Sequence, residues 1–439
     1  MTNPRCISTG LWLILLLGCG GRQDQRPDIV LISIDTLRAD HLGCYGYPAP
    51  SSPNIDRFSQ NAVLFEQTIA AASSTLPSHA SLFTSQVPQH HRASHTANRP
   101  LAQEAVTLAE VLSAAGYRTL AVVAGGQMAP QFGLGQGFET YVEVDTERPF
   151  FDSVSRGLAL LDEGPRRPTF LFLHSYEVHH PYEPAAWRLA GLEAGYGGEL
   201  PDTITVDLLR QASLGQRPLT AADLTHISRA YAGEIQSMDA AFGSLLDGLR
   251  ARGRGERSVI AFTSDHGEEM AEHGWVGWHG RTLFEPALRV PFLLALPGGI
   301  HGGRRIATPV RSIDIAPTLL AAVGLTPPDS FDGEALLPSL GPRPDSEIVF
   351  WRETTLDEVG EFEGIRIGGW KLSEGRLFDL LDDPREMRDL AAQRPEELRR
   401  LQRALAAWHA RRPPLTPAAA APLPPETMEQ IRALGYLGQ

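Results

Sequence analysis

The chain has 439 residues, 42% hydrophobic and 21% charged, enough apolar material for one large core with a smaller unit appended. Its 39 Lys and Arg against 52 Asp and Glu give a formal charge of -13, with no basic run. That pattern excludes a phosphate-backbone binding surface, so nucleic acid is not an expected partner.

In chain order, the first element is an address. MTNPR carries one positive side chain, residues 11–17 form a short apolar run, and Leu16-Leu17-Gly18-Cys19 reads as a lipobox. A spanning helix would need about 20 apolar residues. The expectation is a lipoprotein signal over residues 1–18, a linker over 19–27 and a membrane anchor through lipidated Cys19 at the bacterial cell envelope. Gly20 after the cysteine favours the outer membrane or the periplasmic face. With Cys6 removed and Cys19 lipidated, Cys44 remains alone and no intramolecular disulfide is expected.

Short apolar runs at residues 29–34, 119–123, 169–173, 259–262 and 292–296 then read as strands buried on both faces. Amphipathic stretches lie between several of them. The clearest is 221–252, where Ile227, Tyr231, Ile235, Met238, Phe242 and Leu245 recur at spacings of three and four. The predicted fold class is α/β, a large mainly parallel sheet sandwiched by helices over a catalytic domain at 28–338. Shorter segments and a helix-like run at 395–410 predict a smaller C-terminal α+β subdomain over 339–411. Residues 412–439 read as a Pro/Ala-rich tail with a short terminal helix.

Chemistry sits at the strand ends. Asp35 follows DIVLISI, His174 follows TFLFL, and Asp265 with His266 follows SVIAFTS. In open α/β sheets ligands bind beyond the carboxyl ends of the strands, so these residues are expected to converge. Asp265-His266-Gly267 offers a hard oxygen, an imidazole and a glycine that permits a tight turn under an ion. In SSTLPSHASLFTS, residues 73–85, Pro77 falls in a first helical turn and places Ser74 or Thr75 near the N-cap, where backbone amides favour an anion. The Thr75 hydroxyl either caps that helix or coordinates the same ion and attacks a bound tetrahedral anion. Arg38 reads as an anion contact or half of a surface ion pair. His41, His90 and His91 read as turn or surface histidines, and Glu268, Glu269, Glu272 and His273 as a solvated helix face. Asp379 and Asp383 read as structural.

DIVLISIDTLRADHLGCYG, STLPSHASLFTS, TSDHGEEMAEHG, WHGRTLFEPALRVPFLL, SIDIAPTLLAAVGL and LFDLLDDPRE, in that order from about Arg26 to Leu390, together resemble the sulfatase family of the alkaline-phosphatase superfamily. The terminal IRALGYLG is similar to the end of many bacterial members. The resemblance implies a large α/β domain, a smaller C-terminal domain with a short antiparallel sheet, and one divalent ion (Ca, Mg, Mn or Zn) beside a covalent nucleophile. It aligns Asp35 with the first aspartate ligand, Asp265 and His266 with the later pair, and Thr75 with the nucleophile of CxPxR, Pro77 taking the proline. The implied metal set is Asp35, Thr75, Asp265 and His266. HSYEVHHPYEP resembles a substrate-side motif and puts His179 near the scissile group. His279 is similar to a residue that contacts the anion or protonates the leaving oxygen. Glu177 with His179 would be the ligands of any second ion.

Four departures bear on substrate. Thr75 replaces the Cys or Ser that matures to formylglycine, and His79 replaces an Arg. Thr36 stands where many members have a second ligating Asp. AVVAGGQM replaces the Lys and His that grip sulfate, with Gln127 as a substitute contact. Arg38, His79, His174 and Gln127 are thus the expected substrate-side residues. The expected function is a metal-dependent hydrolase of a sulfate, phosphate or phosphonate ester on a small molecule, glycan or lipid. Phosphoester is favoured, because a threonine sulfate lacks the second hydroxyl through which a hydrated aldehyde expels sulfate. The alternatives are a phosphoglycerol or phosphoethanolamine transferase acting on envelope glycan or lipid, and a catalytically silent binding protein.

Overall fold

The apolar run IVLISI forms β1 (Ile29–Ile34), buried along its whole length. In a computed structural model describing residues 26–146, 149–184, 195–340, 347–352, 361–411, 413–420 and 422–435, it is the hub of a nine-stranded sheet. Its neighbours are β5 (Thr169–Ser175) and β6 (Val259–Ser264), both parallel to it. Beyond β5 lie β3 (Arg118–Ala124) and β4 (Thr140–Val144). Beyond β6 lie β9 (Arg289–Ala295), β2 (Val63–Ile69) and the short β10 (Arg305–Ile306) and β11 (Val310–Arg311). β9 is antiparallel to both its neighbours, which makes the sheet mainly parallel, as expected.

Side chains of β1 alternate between two cores. Ile29 and Leu31 join one with Leu76, Ala80, Leu108 and Leu319, from the helices Thr75–Thr84, Leu108–Ala114 and Ile315–Ala322. Val30, Ile32 and Ile34 join the other with Phe150, Ile227, Ile235 and Phe242, from the helices Phe150–Asp162 and Ala221–Ala251. Period two on a strand buried on both faces yields this sandwich. The helix predicted over 221–252 is present, its start fixed by a Thr220/Asp223 capping box.

A separate antiparallel sheet follows, β12 (Glu347–Arg352), β13 (Phe362–Ile367), β14 (Trp370–Ser373) and β15 (Arg376–Asp379), covered by the helix Pro395–His409 through Leu401 and Trp408. It joins the large domain through Ala71, whose carbonyl accepts from the Trp351 amide. The fold class is thus the expected one. The Pro/Ala tail runs back along the large domain: the Leu415 amide donates to the His90 carbonyl, and Ile431 of the helix Pro425–Ala433 enters the first core. The lipobox, Cys6 and Cys19 lie outside the described residues. No helix among the described residues is long and apolar enough to cross a membrane.

Candidate metal and nucleophile site

Register brings the site together. Ile34 pairs with Ser175 on one side and Ser264 on the other, so Asp35 and Asp265, the next residues on β1 and β6, emerge side by side. Thr36 then turns with φ 56°, an αL conformation that costs a β-branched residue on the order of 1–3 kcal/mol. Tyr231 holds the turn, donating from its hydroxyl to the Thr36 carbonyl and accepting from the Arg38 amide.

Thr75 is the first residue of the buried helix Thr75–Thr84, with Ser74 as N-cap. Its Oγ1 donates to Asp35 Oδ2 at 3.0 Å and lies 3.4 Å from His266 Nε2. The His266 Nδ1–H donates to the Gly267 carbonyl, which leaves the Nε2 lone pair facing Thr75 and the carboxylates. Asp265 Oδ1 accepts from the amides of Thr36 and His266, whereas Asp265 Oδ2 and Asp35 Oδ1 are buried without a hydrogen-bond partner among the described residues. One ligand atom from each of Asp35, Asp265 and His266 lies within 4.8 Å of the others. Burial, partly offset by His266, pushes the Asp35 carboxyl up from 3.8 to about 6; burial and Asp35 raise Asp265 as well. Two buried carboxylates with orphaned oxygens, facing an imidazole lone pair and a hydroxyl, fit a divalent cation.

The anion side differs from the expectation for two residues. The Arg38 guanidinium is consumed by Asp40 at 2.7 Å, Glu272 at 2.7 Å and the Glu268 carbonyl. His79 lies beneath the helix, its Nδ1 on the Thr75 carbonyl and its Nε2 on Ser33 Oγ, each at 3.0 Å; burial pushes it down to about 3, so it carries no charge to offer. His79 is thus hydrogen-bonded to the helix backbone and to β1. Gln127, at the end of β3, does reach the site: its Oε1 accepts from the Leu76 amide at 3.0 Å, and its buried Nε2 has no partner among the described residues. Buried hydroxyls of Ser73, Ser74 and Thr36 are also without partners there. His174 stands 3.7 Å from Asp35 Oδ2, and neither ring nitrogen has a hydrogen-bond partner among the described residues; burial lowers it to about 4.

His179 and His279 meet, with ring centroids 4.9 Å apart, and His279 lies 4.6 Å from His266. Sequence reasoning missed the third member of the group, His180, although the doubled HH before Pro181 was its signal. Glu268 is another correction: it is fully buried, accepting from His279 Nδ1 at 2.9 Å and from the Tyr182 hydroxyl, in the segment leading into the hairpin β7 (Glu269–Met270) and β8 (Val276–Trp278), not on a solvated helix. Glu269 is buried too and accepts from Thr282. Glu177 points elsewhere and accepts from the Phe150 amide at the start of the helix Phe150–Asp162. His41, His90 and His91 are buried, on Asp40 and Ser228, Asp332, and Ser81 respectively.

Comparison with known proteins places the chain in a family. The family model described as Sulfatase matches residues 27–325, and one described as N-sulphoglucosamine sulphohydrolase, C-terminal, matches residues 271–409. Human arylsulfatase A is 28% identical over 409 residues, 82% of this chain and 77% of its own. The N-acetylglucosamine-6-O-sulfatase of Bacteroides thetaiotaomicron is 22% identical, covering 89% of this chain and 87% of its own. Among solved structures, the phosphonate monoester hydrolase of Agrobacterium radiobacter superposes with a TM-score of 0.71 at 22% identity, covering 88% of this chain and 96% of that one. With two thirds of its length matched by the family model, the chain belongs to the sulfatase family and is a hydrolase acting on ester bonds.

Proposed function

We propose that the chain hydrolyses a phosphate or phosphonate ester through Thr75, in a metal-dependent reaction, with sulfate esters as the lesser substrates. The observation that carries this reading is the Thr75 hydroxyl, 3.0 Å from Asp35 and 3.4 Å from His266 at the first turn of a buried helix. Asp35, Thr75, Asp265 and His266 would hold the divalent ion, which supplies Lewis-acid polarisation of the ester and a lowered hydroxyl pKa. The carboxylate of Asp35 orients the Thr75 hydroxyl, and His79, on the Thr75 carbonyl, fixes the first turn. The Gln127 amide and the hydroxyls of Ser73 and Ser74 supply neutral donors for the ester oxygens in place of the family's charged grip. Thr75 Oγ1 passes its hydrogen to Asp35 and bonds to phosphorus as the bond to the leaving oxygen breaks, the leaving oxygen taking a proton from water; water then attacks the phosphothreonine, releasing phosphate or phosphonate and returning a hydrogen to Oγ1.

A threonine favours phosphorus because a threonine sulfate would have no second hydroxyl with which to expel sulfate. The similarity to phosphonate monoester hydrolases supports the same choice, while the N-acetylglucosamine-6-O-sulfatase and arylsulfatase relatives support a glycan or small-molecule ester. The test is turnover of aryl sulfate, phosphate mono- and diester and phosphonate monoester by wild type and Thr75→Ala, with mass spectrometry of acid-quenched protein for an adduct on the Thr75 peptide. Equal turnover by both proteins would refute the nucleophile. We also propose that Cys19 is lipidated at the cell envelope; loss of detergent-phase partitioning in Cys19→Ser is the expected outcome.

A further inference from the structure

We infer that His179, His180 and His279 form a second metal site, of zinc type, which makes the centre dinuclear. This rests on the metal-dependent reading above and goes beyond its single ion.

A ring nitrogen from each of the three lies within 4.8 Å of the others, and all three residues are buried. Their tautomers are set by acceptors. The His179 Nδ1–H donates to the His180 carbonyl at 2.7 Å, and the His279 Nδ1–H donates to Glu268 Oε1 at 2.9 Å. A carbonyl and a carboxylate only accept, so both hydrogens sit on Nδ1 and each Nε2 keeps its lone pair. Neither ring nitrogen of His180 has a hydrogen-bond partner among the described residues; Nδ1 stands 3.6 Å from the same Glu268 oxygen. An imidazole whose far nitrogen is held by a buried carboxylate is the usual arrangement of a zinc ligand. Three imidazoles around one point leave a fourth position open, as catalytic zinc requires; a tetrahedral site would draw their nitrogens to roughly 3.4 Å apart.

The neighbouring His266 ring, 4.6 Å from His279, belongs to the first ion's ligands, so the two ions would share one ester between them. Such a pair clamps both the attacking and the leaving oxygen of an in-line displacement. It also removes a difficulty, since a neutral His279 with its hydrogen on the Glu268 side has none to give the leaving oxygen. The substrate class implied is a phosphate monoester or diester, the charge on whose leaving oxygen the second ion would stabilise.

The test is the ion count. The full chain is stripped with a chelator, reloaded with Zn2+, desalted and measured by mass spectrometry, with far-UV circular dichroism as the folding control. Wild type should hold two ions per chain. His180→Asn and His279→Asn should each hold one, and Asp265→Asn should lose the other. In Mn2+-loaded protein, electron paramagnetic resonance should show spin coupling in wild type that disappears in the histidine variants. One Zn2+ in wild type, lost only in Asp265→Asn, would overturn the second site and leave the Thr75 reading standing. One ion lost only in the histidine variants would support the histidine site and overturn the first. Two ions retained in both histidine variants would also overturn the inference.

Discussion

Removing the ion from the Asp35–Asp265 pair should make the protein's stability depend on pH in a direction opposite to most carboxylates. In the ion-free fold burial, opposed by His266, pushes the Asp35 carboxyl from 3.8 to about 6. A carboxyl whose folded pKa lies above its unfolded value binds more protons when folded, so its contribution is complete below about pH 4 and is lost as pH rises toward 6. The gap corresponds to on the order of 3 kcal/mol. Asp35→Asn carries no charge to desolvate and still accepts from Thr75, so the substitution isolates this contribution. Urea denaturation of chelator-stripped wild type and variant at pH 4, 5, 6 and 7 is the assay. The variant should gain on wild type by up to about 3 kcal/mol between pH 4 and 6, with no further gain at pH 7. Adding ion should invert the order at pH 7, since an ion at 1,000 times its Kd stabilises the wild-type fold by about 4 kcal/mol and binds the variant less well. A difference that stays flat from pH 4 to 7 would refute the buried-carboxylate account.

Thr75→Ala should abolish turnover and adduct formation while retaining the ion, and Thr75→Ser should restore both in part, read by steady-state kinetics and mass spectrometry. Gln127→Ala strands the Leu76 amide and should cost about 1–3 kcal/mol in thermal denaturation, with a raised KM. In Gly267→Ala the new Cβ would clash with the Pro286 carbonyl oxygen. The shift this forces, next to the bond from His266 Nδ1 to the Gly267 carbonyl, should cost about 1–3 kcal/mol and weaken ion binding in titration calorimetry. Lys371 is fully buried in the small sheet, 2.7 Å from Glu386 and 3.1 Å from Glu285. Lys371→Ala should therefore destabilise by roughly 3–5 kcal/mol in urea denaturation, because it leaves the buried Glu386 carboxylate without its cation, Glu285 keeping Arg366.

The apolar runs and the helical spacing at 221–252 determined the α/β class by themselves, because a strand buried on both faces and an amphipathic helix each carry their environment in local periodicity. Asp35, Thr75, Asp265 and His266 were legible for a related reason: each stands at the end of a strand or the start of a helix, a position visible in sequence. Partner choice was not legible. Arg38 and His79 look like anion contacts in the chain, yet Arg38 folds onto Asp40 and Glu272 and His79 onto Ser33. Glu268 looks solvated beside other acids until the loop carrying His279 covers it. The joining of His180 to His179 and His279 was likewise decided by tertiary structure. Residues a hundred positions apart share a nitrogen-lined space only when β5, β6 and the hairpin after β6 are stacked in register, and no local pattern encodes that distance.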